Sequence, residues 1–485
     1  MRYAYQVEDC RAADHAAQRV VSEAVLIDRA SSAVARRAAA MLGSVYGAHV
    51  IVLAGSGHNG ADALWAGEKL LRRGARVDVV LAAEPRDEHG AEPLRILRAG
   101  GRVVRSLAMG DCDLVIDGLT GIGFTGALRS PEFAEHANAA PMVLSVDIPS
   151  GVDADTGAVN GPAVRADVTV TFGALKPGLL VDPGAEYAGQ IEVADIGLTA
   201  HFGRGGIQLL DADDVARALP PPPRESSKYT RGVVGVVAGS ERYTGAAALC
   251  AGAALRAGAG MVHLLSSPTA LAAARGGWPE LVFFDVSDHE QLTRNDKVTA
   301  WVVGPGMGTD DGARAALRSV LETGKAVILD ADALTLVASD VTLLRRAAPT
   351  VITPHLGEFV RLTSSSAHDV RRDRMAAVRA AAERLAVTVL LKGTTTVVVE
   401  PDGTAYLNTT GTPWLASAGT GDVLSGVIGA LLARGLGAGT AAATGAWLHG
   451  LAGRLAAGPS PGSEGPLTAG DVLVKVPAAI RIAQG

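Results

Sequence analysis

The sequence predicts an α/β protein made of two three-layer αβα domains. Its 485 residues exceed the usual size of a single hydrophobic core. Short apolar runs alternate with alanine-rich helical stretches along the chain, which is typical of parallel sheets covered by helices on both faces. The run Pro220–Pro223 is incompatible with a helix or a central strand, so we expect a linker between domains at 1–219 and 224–485.

Each half supplies a series of predicted strands. Two helices, beginning near Asp9 and Val25, precede the first strand. The apolar runs of the first half predict strands at Val50–Ala54, Val77–Leu81, Leu114–Asp117, Val143–Asp147 and Val168–Phe172. Those of the second half predict strands at Val233–Ala238, Val262–Leu265, Trp301–Val303, Val327–Asp330, Val351–Thr353, Val387–Leu391 and Val397–Glu400.

Composition restricts the class of partner and the compartment. Hydrophobic residues make up 48% of the chain and charged residues 19%, which favours a large core over disorder. The net charge of −6 argues against nucleic acid or an anionic membrane as the main partner. Cys10, Cys112 and Cys250 form neither a CxxC pair nor a disulfide framework, and the first residues contain no signal peptide, so we expect a cytoplasmic protein. The longest apolar region, Val423–Trp447, is interrupted by Arg434 and by glycines, and we expect no membrane span.

Polar residues follow the predicted strands of the first half. The strand Val50–Ala54 runs into a glycine loop at 55–62, a strand–loop–helix unit that commonly holds phosphate. Because ligands bind outside the carboxyl ends of parallel strands, Asn59, Asp117, Asp147 and Ser150 should project into one crevice. Three of them, Asn59, Asp117 and Ser150, offer hard oxygen ligands that suit an alkali or alkaline-earth cation. Loop or helix capping is the alternative role for each aspartate.

Residues Gly419–Asp422 carry the clearest chemical signal of the second half. This glycine turn opens an apolar helical stretch, so free N–H groups and the positive end of the helix dipole should create an anion hole. Asp422 would repel a phosphate as a ligand, but it suits a base that deprotonates a hydroxyl attacking that phosphate. The alternative is that Asp422 is only a helix N-cap.

Two further motifs precede the anion hole. Lys392–Thr396 follows a predicted strand and offers an ammonium group and hydroxyls to a nucleotide phosphate or ribose, although an isolated lysine is more often a surface residue. His355 lies between Pro354 and Leu356-Gly357, near Glu358, where a structural role is the alternative.

The loop at 55–62, the run Asp117–Gly126 and the run Val146–Gly151 together resemble the epimerase domain of the NAD(P)H-hydrate repair family, which is Rossmann-like. His58 and Ala61 depart from the family's Asn-Asn-Gly-Gly-Asp loop. The resemblance implies a potassium ion held by Asn59, Asp117 and Ser150. It implies substrate contacts from Asp147 and from two loops, namely His58, Asn59, Gly60, Ala61 and Asp62, and Gly121, Ile122, Gly123, Phe124, Thr125, Gly126 and Ala127. We expect an acid/base role for Asp147, because inverting a carbon that bears a hydroxyl needs proton transfer nearby.

Six motifs of the second half occur in an order that resembles the dehydratase domain of the same family, which is ribokinase-like. They are Tyr243–Ala247, Gly304–Gly308, Asp330–Leu334, Thr353–Glu358, Lys392–Thr396 and Gly419–Asp422. The resemblance implies adenine nucleotide contacts from Lys392, Gly393, Thr394, Thr395, Thr396 and Gly421. It implies substrate contacts from Ala246, Gly306, His355 and Asp422. We expect Asp330 and Asp332 to be structural, with magnesium-bound phosphate nearby.

The sequence therefore predicts a bifunctional repair enzyme for hydrated NADH and NADPH. One domain would interconvert the R and S hydrates, and the other would dehydrate the S hydrate with ADP as phosphoryl donor, giving AMP and phosphate. We expect K⁺ in the first domain, Mg²⁺ in the second, only small-molecule partners, and a homo-oligomer. Two alternatives remain at this stage: a small-molecule kinase of the ribokinase group in the second half, and a non-catalytic ligand-binding or docking module in the first.

Overall fold

The computed structural model describes residues 2–82, 92–104, 112–203, 205–288, 292, 295–458 and 463–485. Contacts divide the chain into two compact units. The first comprises Tyr3–Ile207 with Arg371–Asp373, and the second comprises Arg2, Gln208–Val370 and Arg374–Gly485. Both units are α/β, as the sequence predicts. The run Pro220–Pro223 lies after this division, and a domain boundary at the prolines stays a prediction.

The strands are short, as expected for a parallel α/β protein. They are β1 Arg2–Ala4, β2 His49–Ala54, β3 Arg76–Leu81, β4 Arg102–Val104, β5 Leu114–Gly118, β6 Val143–Val146, β7 Val168–Phe172, β8 Gln190–Ala194, β9 Ile207–Leu209, β10 Val233–Val237, β11 Met261–Ser266, β12 Val282–Asp285, β13 Ala300–Val303, β14 Ala326–Leu329, β15 Thr350–Ile352, β16 Thr388–Leu391, β17 Thr396–Val399 and β18 Ala405–Asn408.

The α-helices of the described residues lie between these strands or, for the last three helices, after β18. They are Val7–Gln18, Glu23–Leu42, His58–Leu71, Glu92–Arg98, Glu132–Ala137, Ala185–Ala188, Ala212–Ala218, Thr244–Arg256, Pro268–Arg275, Asp311–Glu322, Asp332–Ser339, Leu356–Thr363, Ala367–Arg372, Arg374–Leu385, Thr420–Ala433, Ala438–Ala457 and Ala469–Gln484. Short 3₁₀ helices occur at Pro177–Leu179, Thr199–His201, Val341–Leu344 and Pro413–Leu415.

The sheet of the first unit is fully parallel, with the order β4-β3-β2-β5-β6-β7-β8. The chain winds outward from β2 in one direction through β3 and β4, and from β5 in the other. The strand order therefore reverses between β2 and β5, and this is the place where doubly wound sheets open a ligand crevice. The loops that follow β2 and β5 contain the predicted site residues of this unit.

Both faces of that sheet are buried. In β2, Val50 and Val52 pack into one hydrophobic cluster, together with residues of the helices Glu23–Leu42 and His58–Leu71. Ile51 and Leu53 alternate to the other face, where they pack with the helix Glu132–Ala137. A strand covered on both faces must be apolar at every position, which is why β2 reads as a continuous apolar run.

The sheet of the second unit has the same winding order, β12-β11-β10-β13-β14-β15-β16, with all neighbours parallel. The strands β17 and β18 then extend it in antiparallel fashion, and Gln208 of β9 pairs in parallel with Tyr406 of β18. Consecutive parallel strands are joined by helices, whereas the antiparallel pair β16–β17 needs only the short connection at 392–395.

The helix Thr420–Ala433 packs tightly on this second sheet because two of its glycines allow close approach. A Cβ on Gly426 would lie 2.1 Å from the carbonyl oxygen of Cys250, in the neighbouring helix Thr244–Arg256. A Cβ on Gly429 would lie 2.2 Å from the Val302 side chain in β13. The two contacts fix the helix against both neighbours, and thereby fix the position of its N-terminus.

All of the predicted strands are present, with ends that differ by a few residues. The predicted early helices begin at Val7 and Glu23. The sequence analysis missed β1, β4, β8, β9, β12 and β18. Most of these are short or lie at or near a sheet edge; β8, for example, is a largely exposed edge strand that contains Gln190 and Glu192. Partial exposure removes the continuous apolar pattern on which the prediction depended.

A buried ion pair holds the carboxyl end of the first sheet together. Asp147 follows β6 with φ +63°, an uncommon backbone conformation for a non-glycine residue. Its Oδ1 accepts hydrogen bonds from Lys176 Nζ at 2.6 Å and from Thr171 Oγ1 at 2.9 Å. Lys176, only 2% exposed, also donates to the carbonyl oxygen of Phe172 at 2.9 Å. The pair ties the segment after β7 to the end of β6.

We predict that Lys176→Met lowers the free energy of unfolding of the first unit by about 3–5 kcal/mol, because it leaves a buried carboxylate without its cation. Lys69→Met is the matched control. Lys69 Nζ lies 2.6 Å from Asp28 Oδ1, but Asp28 is largely exposed and such pairs contribute below about 1 kcal/mol. Urea unfolding of both variants measures the difference, and equal losses would show that the buried pair is not required.

Candidate active sites at the carboxyl ends of the two sheets

The glycine loop of the first unit leads directly into a helix. A Cβ on Gly60 would lie 2.0 Å from the carbonyl oxygen of Gly55, so only glycine fits where the helix returns to the loop. His58 is the first residue of the helix, and its Nε2 lies 2.7 Å from Glu23 Oε1. The resembled family has a glycine where this chain has Ala61. Ala61 is buried, so its additional methyl group is accommodated inside the unit.

The three predicted potassium ligands surround the backbone of Thr120. Asn59 Nδ2 donates to the Thr120 carbonyl oxygen at 2.6 Å, and the Ser150 hydroxyl accepts from the Thr120 N–H at 3.0 Å. The same hydroxyl donates to Asp117 Oδ1 at 2.6 Å. The residues lie in the helix His58–Leu71, in β5 and after β6, and their amide, carboxylate and hydroxyl oxygens form a donor set that fits a hard monovalent cation. Asn59 Nδ2 also donates to the Val146 carbonyl oxygen at 2.5 Å, so the amide nitrogen faces two backbone carbonyl oxygens.

Asp117 is buried, and its carboxylate is well supplied with donors. The N–H and hydroxyl of Ser150, the hydroxyl of Ser145 and the N–H of Leu119 all donate to it. Burial raises the pKa of Asp117, and these hydrogen bonds oppose that rise. The residue therefore organises the crevice, whether or not a cation is bound.

The second predicted substrate loop passes over the same place. A Cβ on Gly121 would lie 3.1 Å from Asn59 Cγ, which brings the start of the loop onto the first turn of the helix. Ile122, Gly123, Phe124, Thr125, Gly126 and Ala127 continue from there with partly or fully exposed surfaces. The structure thus brings both predicted loops to the end of β5.

The sequence analysis named Asp62 as a substrate contact but missed Asp14 and Glu23, two further acids whose charges act on it. Asp62 is buried, and its Oδ1 has no hydrogen-bond partner in the part of the chain that the structure describes. Burial, followed by the charges of Asp147, Asp14 and Glu23, raises the pKa of Asp62 well above its ordinary value. Burial also raises the pKa of Asp14, against the opposing effect of His58. Asp14 lies in a helix with no motif around it, so no sequence signal marks it.

In the second unit, the predicted anion hole is a helix N-terminus capped by backbone alone. Gly419 is the N-cap, in the left-handed conformation with φ +87° and no side-chain cap. The Thr420 hydroxyl donates to the carbonyl oxygens of Leu415 and Ser417, which fixes the turn. Because the helix begins at Thr420, Asp422 lies within its first turn and is not the N-cap, so the capping alternative is wrong.

Asp330 connects three elements next to this turn. Its Oδ1 accepts from Lys392 Nζ at 2.8 Å, and its Oδ2 accepts from the Ser425 hydroxyl at 2.7 Å. Burial alone would lower the pKa of Lys392, but Asp330 and Glu358 raise it above its ordinary value, so the ammonium stays charged. A Cβ on Gly421 would lie 3.5 Å from Lys392 Nζ, which places this charge beside the helix N-terminus.

Asp422 is partly buried beside this network. Burial and the charge of Asp330 raise the pKa of Asp422, Lys392 lowers it, and Asp332 raises it. Together these effects give Asp422 a pKa of about 7. A carboxylate whose pKa lies near neutrality can take a proton in one step and release it in another. The position and the acidity are both those of a general base.

The predicted substrate contacts of this unit come from neighbouring loops. A Cβ on Gly306 would lie 2.9 Å from the Ala246 methyl, so these two residues are adjacent. Gly308 N–H donates to Asp332 Oδ2 at 2.9 Å. His355 Nδ1 accepts from the N–H groups of Gly357 and Glu358 and thereby caps the helix Leu356–Thr363, which leaves Nε2 on an exposed edge.

The segment predicted to bind nucleotide turns between β16 and β17. Gly393 and Thr394 are exposed, whereas Thr395 and Thr396 are buried. Arg374 Nη2 donates to the carbonyl oxygen of Lys392 at 3.2 Å and supports the turn. Sequence reasoning missed Arg374, Ser425 and His449. Burial lowers the pKa of His449 to about 4, and its Nε2 has no hydrogen-bond partner within the described residues.

Two kinds of feature are absent from the described ranges. No cluster of three or more His, Cys, Asp or Glu side chains suited to a metal ion occurs there. Among the same residues, helices with the length and apolar character needed to cross a bilayer are absent.

Both units match known protein families. Residues 234–462 match the family described as NAD(P)H-hydrate dehydratase, and residues 23–178 match the family described as YjeF-related protein N-terminus. The bifunctional NAD(P)H-hydrate repair enzyme of Mycobacterium tuberculosis is 44% identical over 83% of each chain. The enzyme of the same name from Thermofilum pendens is 37% identical over 95% of this chain and 92% of its own.

Solved structures resemble the second unit. An ADP/ATP-dependent NAD(P)H-hydrate dehydratase from Bacillus subtilis, co-crystallised with ATP and Mg²⁺, is 29% identical, with a TM-score of 0.51 over 56% of this chain and 97% of its own. A ribokinase-like superfamily protein from Enterococcus faecalis is 25% identical, with a TM-score of 0.53 over 57% of this chain and 97% of its own. These matches confirm the ribokinase-like fold of the second unit. Together with the similarity to the repair enzymes above, they show that the chain belongs to the family of bifunctional NAD(P)H-hydrate repair enzymes.

Proposed function

We propose that this chain restores NADH and NADPH from their hydrated forms. The first unit interconverts the R and S hydrates, and the second dehydrates the S hydrate with ADP as phosphoryl donor, releasing AMP and phosphate. Family membership supports both activities. The single structural observation that carries the second activity is a carboxylate with a pKa of about 7 in the first turn of a glycine-capped helix, beside a charged lysine.

The reaction in the second unit follows from that arrangement. Asp422 takes the proton of the ring hydroxyl, whose oxygen attacks the terminal phosphorus of ADP. The first N–H groups of the helix have no partners inside the helix, so those at 420–422 can stabilise the charge on the transferring group. Lys392 balances the charge of the nucleotide phosphates. Phosphate then leaves far more readily than hydroxide would, and the ring double bond re-forms.

Magnesium fits this site as part of the nucleotide complex. Magnesium in nucleotide sites takes most of its ligands from phosphate and water, with one or two carboxylates from the protein. Asp332 would supply such a contact, because Gly308 engages only its Oδ2. The ion would neutralise phosphate charge.

The kinase alternative uses the same groups, but the match to a dehydratase family favours release of phosphate over a stable phosphorylated product.

In the first unit, Asp147 is the proposed acid/base group and the crevice at β5 and β6 is the proposed substrate site. Asn59, Asp117 and Ser150 would hold potassium, which would supply positive charge beneath the substrate loops. We also propose His58–Asp62 and Gly121–Ala127 as substrate contacts, Ala246, Gly306 and His355 as contacts of the second unit, and Lys392–Thr396 with Gly421 as nucleotide contacts. A cytosolic location and a homo-oligomeric state stay predictions.

We predict that Asp422→Asn lowers the rate of ADP-dependent dehydration of the S hydrate by about 10²- to 10⁴-fold, because the general base is removed. Recovery of the NADH absorbance measures the rate. Asp311→Asn is the matched control, since Asp311 is another acid in the first turn of a helix of this unit. Epimerisation should persist in both variants. An unchanged dehydration rate in Asp422→Asn would refute the assignment of the base.

We predict that kcat/KM for dehydration rises about tenfold per pH unit below pH 7 and levels off above it, because only ionised Asp422 accepts the proton. The rate rises with pH because burial raises the pKa of the Asp422 carboxyl group, so that its active, ionised form accumulates only as the pH approaches 7. Initial rates between about pH 5.5 and pH 8.5 measure the profile. A rate that stays constant through this range would contradict the role.

We predict that Ser150→Ala raises the potassium concentration needed for half-maximal epimerisation by at least about tenfold, because it removes an oxygen that bridges Asp117 and the Thr120 backbone. Ser31→Ala is the control: Ser31 is equally buried in the same unit and donates only to the Asp28 carbonyl oxygen. Dehydration of the S hydrate should be unaffected. Epimerisation of equal rate with and without potassium in the unsubstituted protein would refute the cation site.

A further inference from the structure

Asp62 lacks what an ionised buried carboxylate requires. It is 7% exposed, and its Oδ1 has neither solvent nor a hydrogen-bond partner within the described residues. Asp117 in the same unit shows the contrast, since hydroxyl and N–H donors engage both of its oxygens. Leaving a charge buried without a cation or donors is very costly, whereas a neutral carboxylic acid tolerates such a place.

The charged groups around Asp62 favour the same state. Asp147 from the end of β6, Asp14 from the helix Val7–Gln18 and Glu23 from the helix Glu23–Leu42 all act on it as negative charges. Two basic side chains of this unit are engaged by other acids: Lys176 is bonded to Asp147, and His58 lies against Glu23. Burial and these carboxylates together raise the pKa of Asp62 well above its ordinary value.

Two acids in different environments therefore lie near one crevice. Asp62 is desolvated and has no cation bonded to it, whereas Asp147 is paired with the buried Lys176 at 2.6 Å. Pairs of carboxyl groups held in opposite protonation states perform acid and base roles in the same reaction. Asp62 lies near the N-terminus of the helix His58–Leu71, which follows the glycine loop after β2, and Asp147 follows β6, so both lie near the carboxyl edge of the sheet.

The chemistry of the hydrate requires such a pair. A dihydropyridine ring is an enamine, so water adds with its oxygen on the carbon next to the ring nitrogen. A hydroxyl group on that carbon leaves as water once it is protonated, because the nitrogen lone pair stabilises the resulting cation. Water that returns to the opposite face gives the other epimer. One group must donate a proton to the leaving hydroxyl, and one must accept a proton from the returning water.

We propose that Asp62 is the general acid of the epimerase unit, protonating the ring hydroxyl of the hydrate, and that Asp147 accepts the proton of the returning water. This inference rests on the proposed epimerase function. In one turnover the carbon–oxygen bond breaks, a water molecule leaves, and a second water forms the new carbon–oxygen bond. The proton lost by Asp62 equals the proton gained by Asp147, and exchange with solvent restores both. No oxidant or further reactant is needed.

The test uses the full-length protein, purified R hydrate and no ADP. Asp62→Asn and Asp62→Ala should each lower the epimerisation rate by at least about 10²-fold. Glu68→Gln is the matched control on the same helix: Glu68 is equally buried, but Arg72 and Arg95 pair with it. The control should epimerise normally, and all variants should still dehydrate the S hydrate with ADP. Epimerisation by Asp62→Asn within about threefold of the unsubstituted rate would overturn the inference.

The outcomes separate this inference from the function on which it rests. An unsubstituted protein that does not epimerise the R hydrate removes the epimerase function and the role of Asp62 with it. An active unsubstituted protein and an active Asp62→Asn variant remove only the role of Asp62. Epimerisation in ¹⁸O-labelled water should place the label in the product hydroxyl, and full retention of the substrate oxygen would overturn the water-loss step.

Stability provides a readout that does not depend on activity. A carboxyl group with a raised pKa in the folded state stabilises the fold at low pH, and this contribution is lost as pH rises from its ordinary value, about 3.9, through the raised value. Asp62→Asn should remove that loss, so the variant should gain stability over the unsubstituted protein as pH increases. Hydrogen exchange in the helix His58–Leu71 measures the difference. An equal pH dependence in both proteins would show that Asp62 is ionised and would overturn the inference.

Discussion

A carboxylate buried at the end of a parallel strand must receive hydrogen bonds from chain segments that follow other strands. Asp330 receives them from Lys392, after β16, and from Ser425 in the helix Thr420–Ala433. Asp117 receives them from Ser145 in β6 and from Ser150 after it. Each of these carboxylates therefore fixes the relative positions of loops that are distant in sequence, and the catalytic geometry of each unit depends on that fixation.

The same physics divides the acids of the protein into two kinds. Acids supplied with donors or a cation organise the sites, as Asp117, Asp147 and Asp330 do. Asp422 and Asp62 are buried to different degrees without a bonded cation, and their raised pKa values follow from burial and from nearby negative charge. The organising acids supply part of that charge, since Asp330 acts on Asp422 and Asp147 acts on Asp62. The acids that are held by donors or a cation thus help to raise the pKa of the two acids that lack a bonded cation.

The sequence predicted the strands and the loops at their carboxyl ends because both carry local signals: continuous apolar runs for strands covered on both faces, and glycine turns where a helix must begin at once. It did not predict Lys176, Asp14 or Ser425, because each is a single polar residue whose role depends on contacts across the fold. The backbone cap at Gly419 also lay beyond local reasoning, since Asp422 satisfies the residue preferences of an N-cap equally well.

Both sheets share one winding order, yet their sites lie at different places along the sheet edge. In the first unit, the site residues follow β2, β5 and β6, at the point where the strand order reverses. In the second unit, Asp330 follows β14 and Lys392 follows β16, away from the reversal between β10 and β13. The difference arises because the chain forms the antiparallel strands β17 and β18 and then returns as the helix Thr420–Ala433. Gly426 and Gly429 let that helix pack closely against its neighbours, so its N-terminus reaches Asp330 and adds an anion hole that strand order alone would not provide.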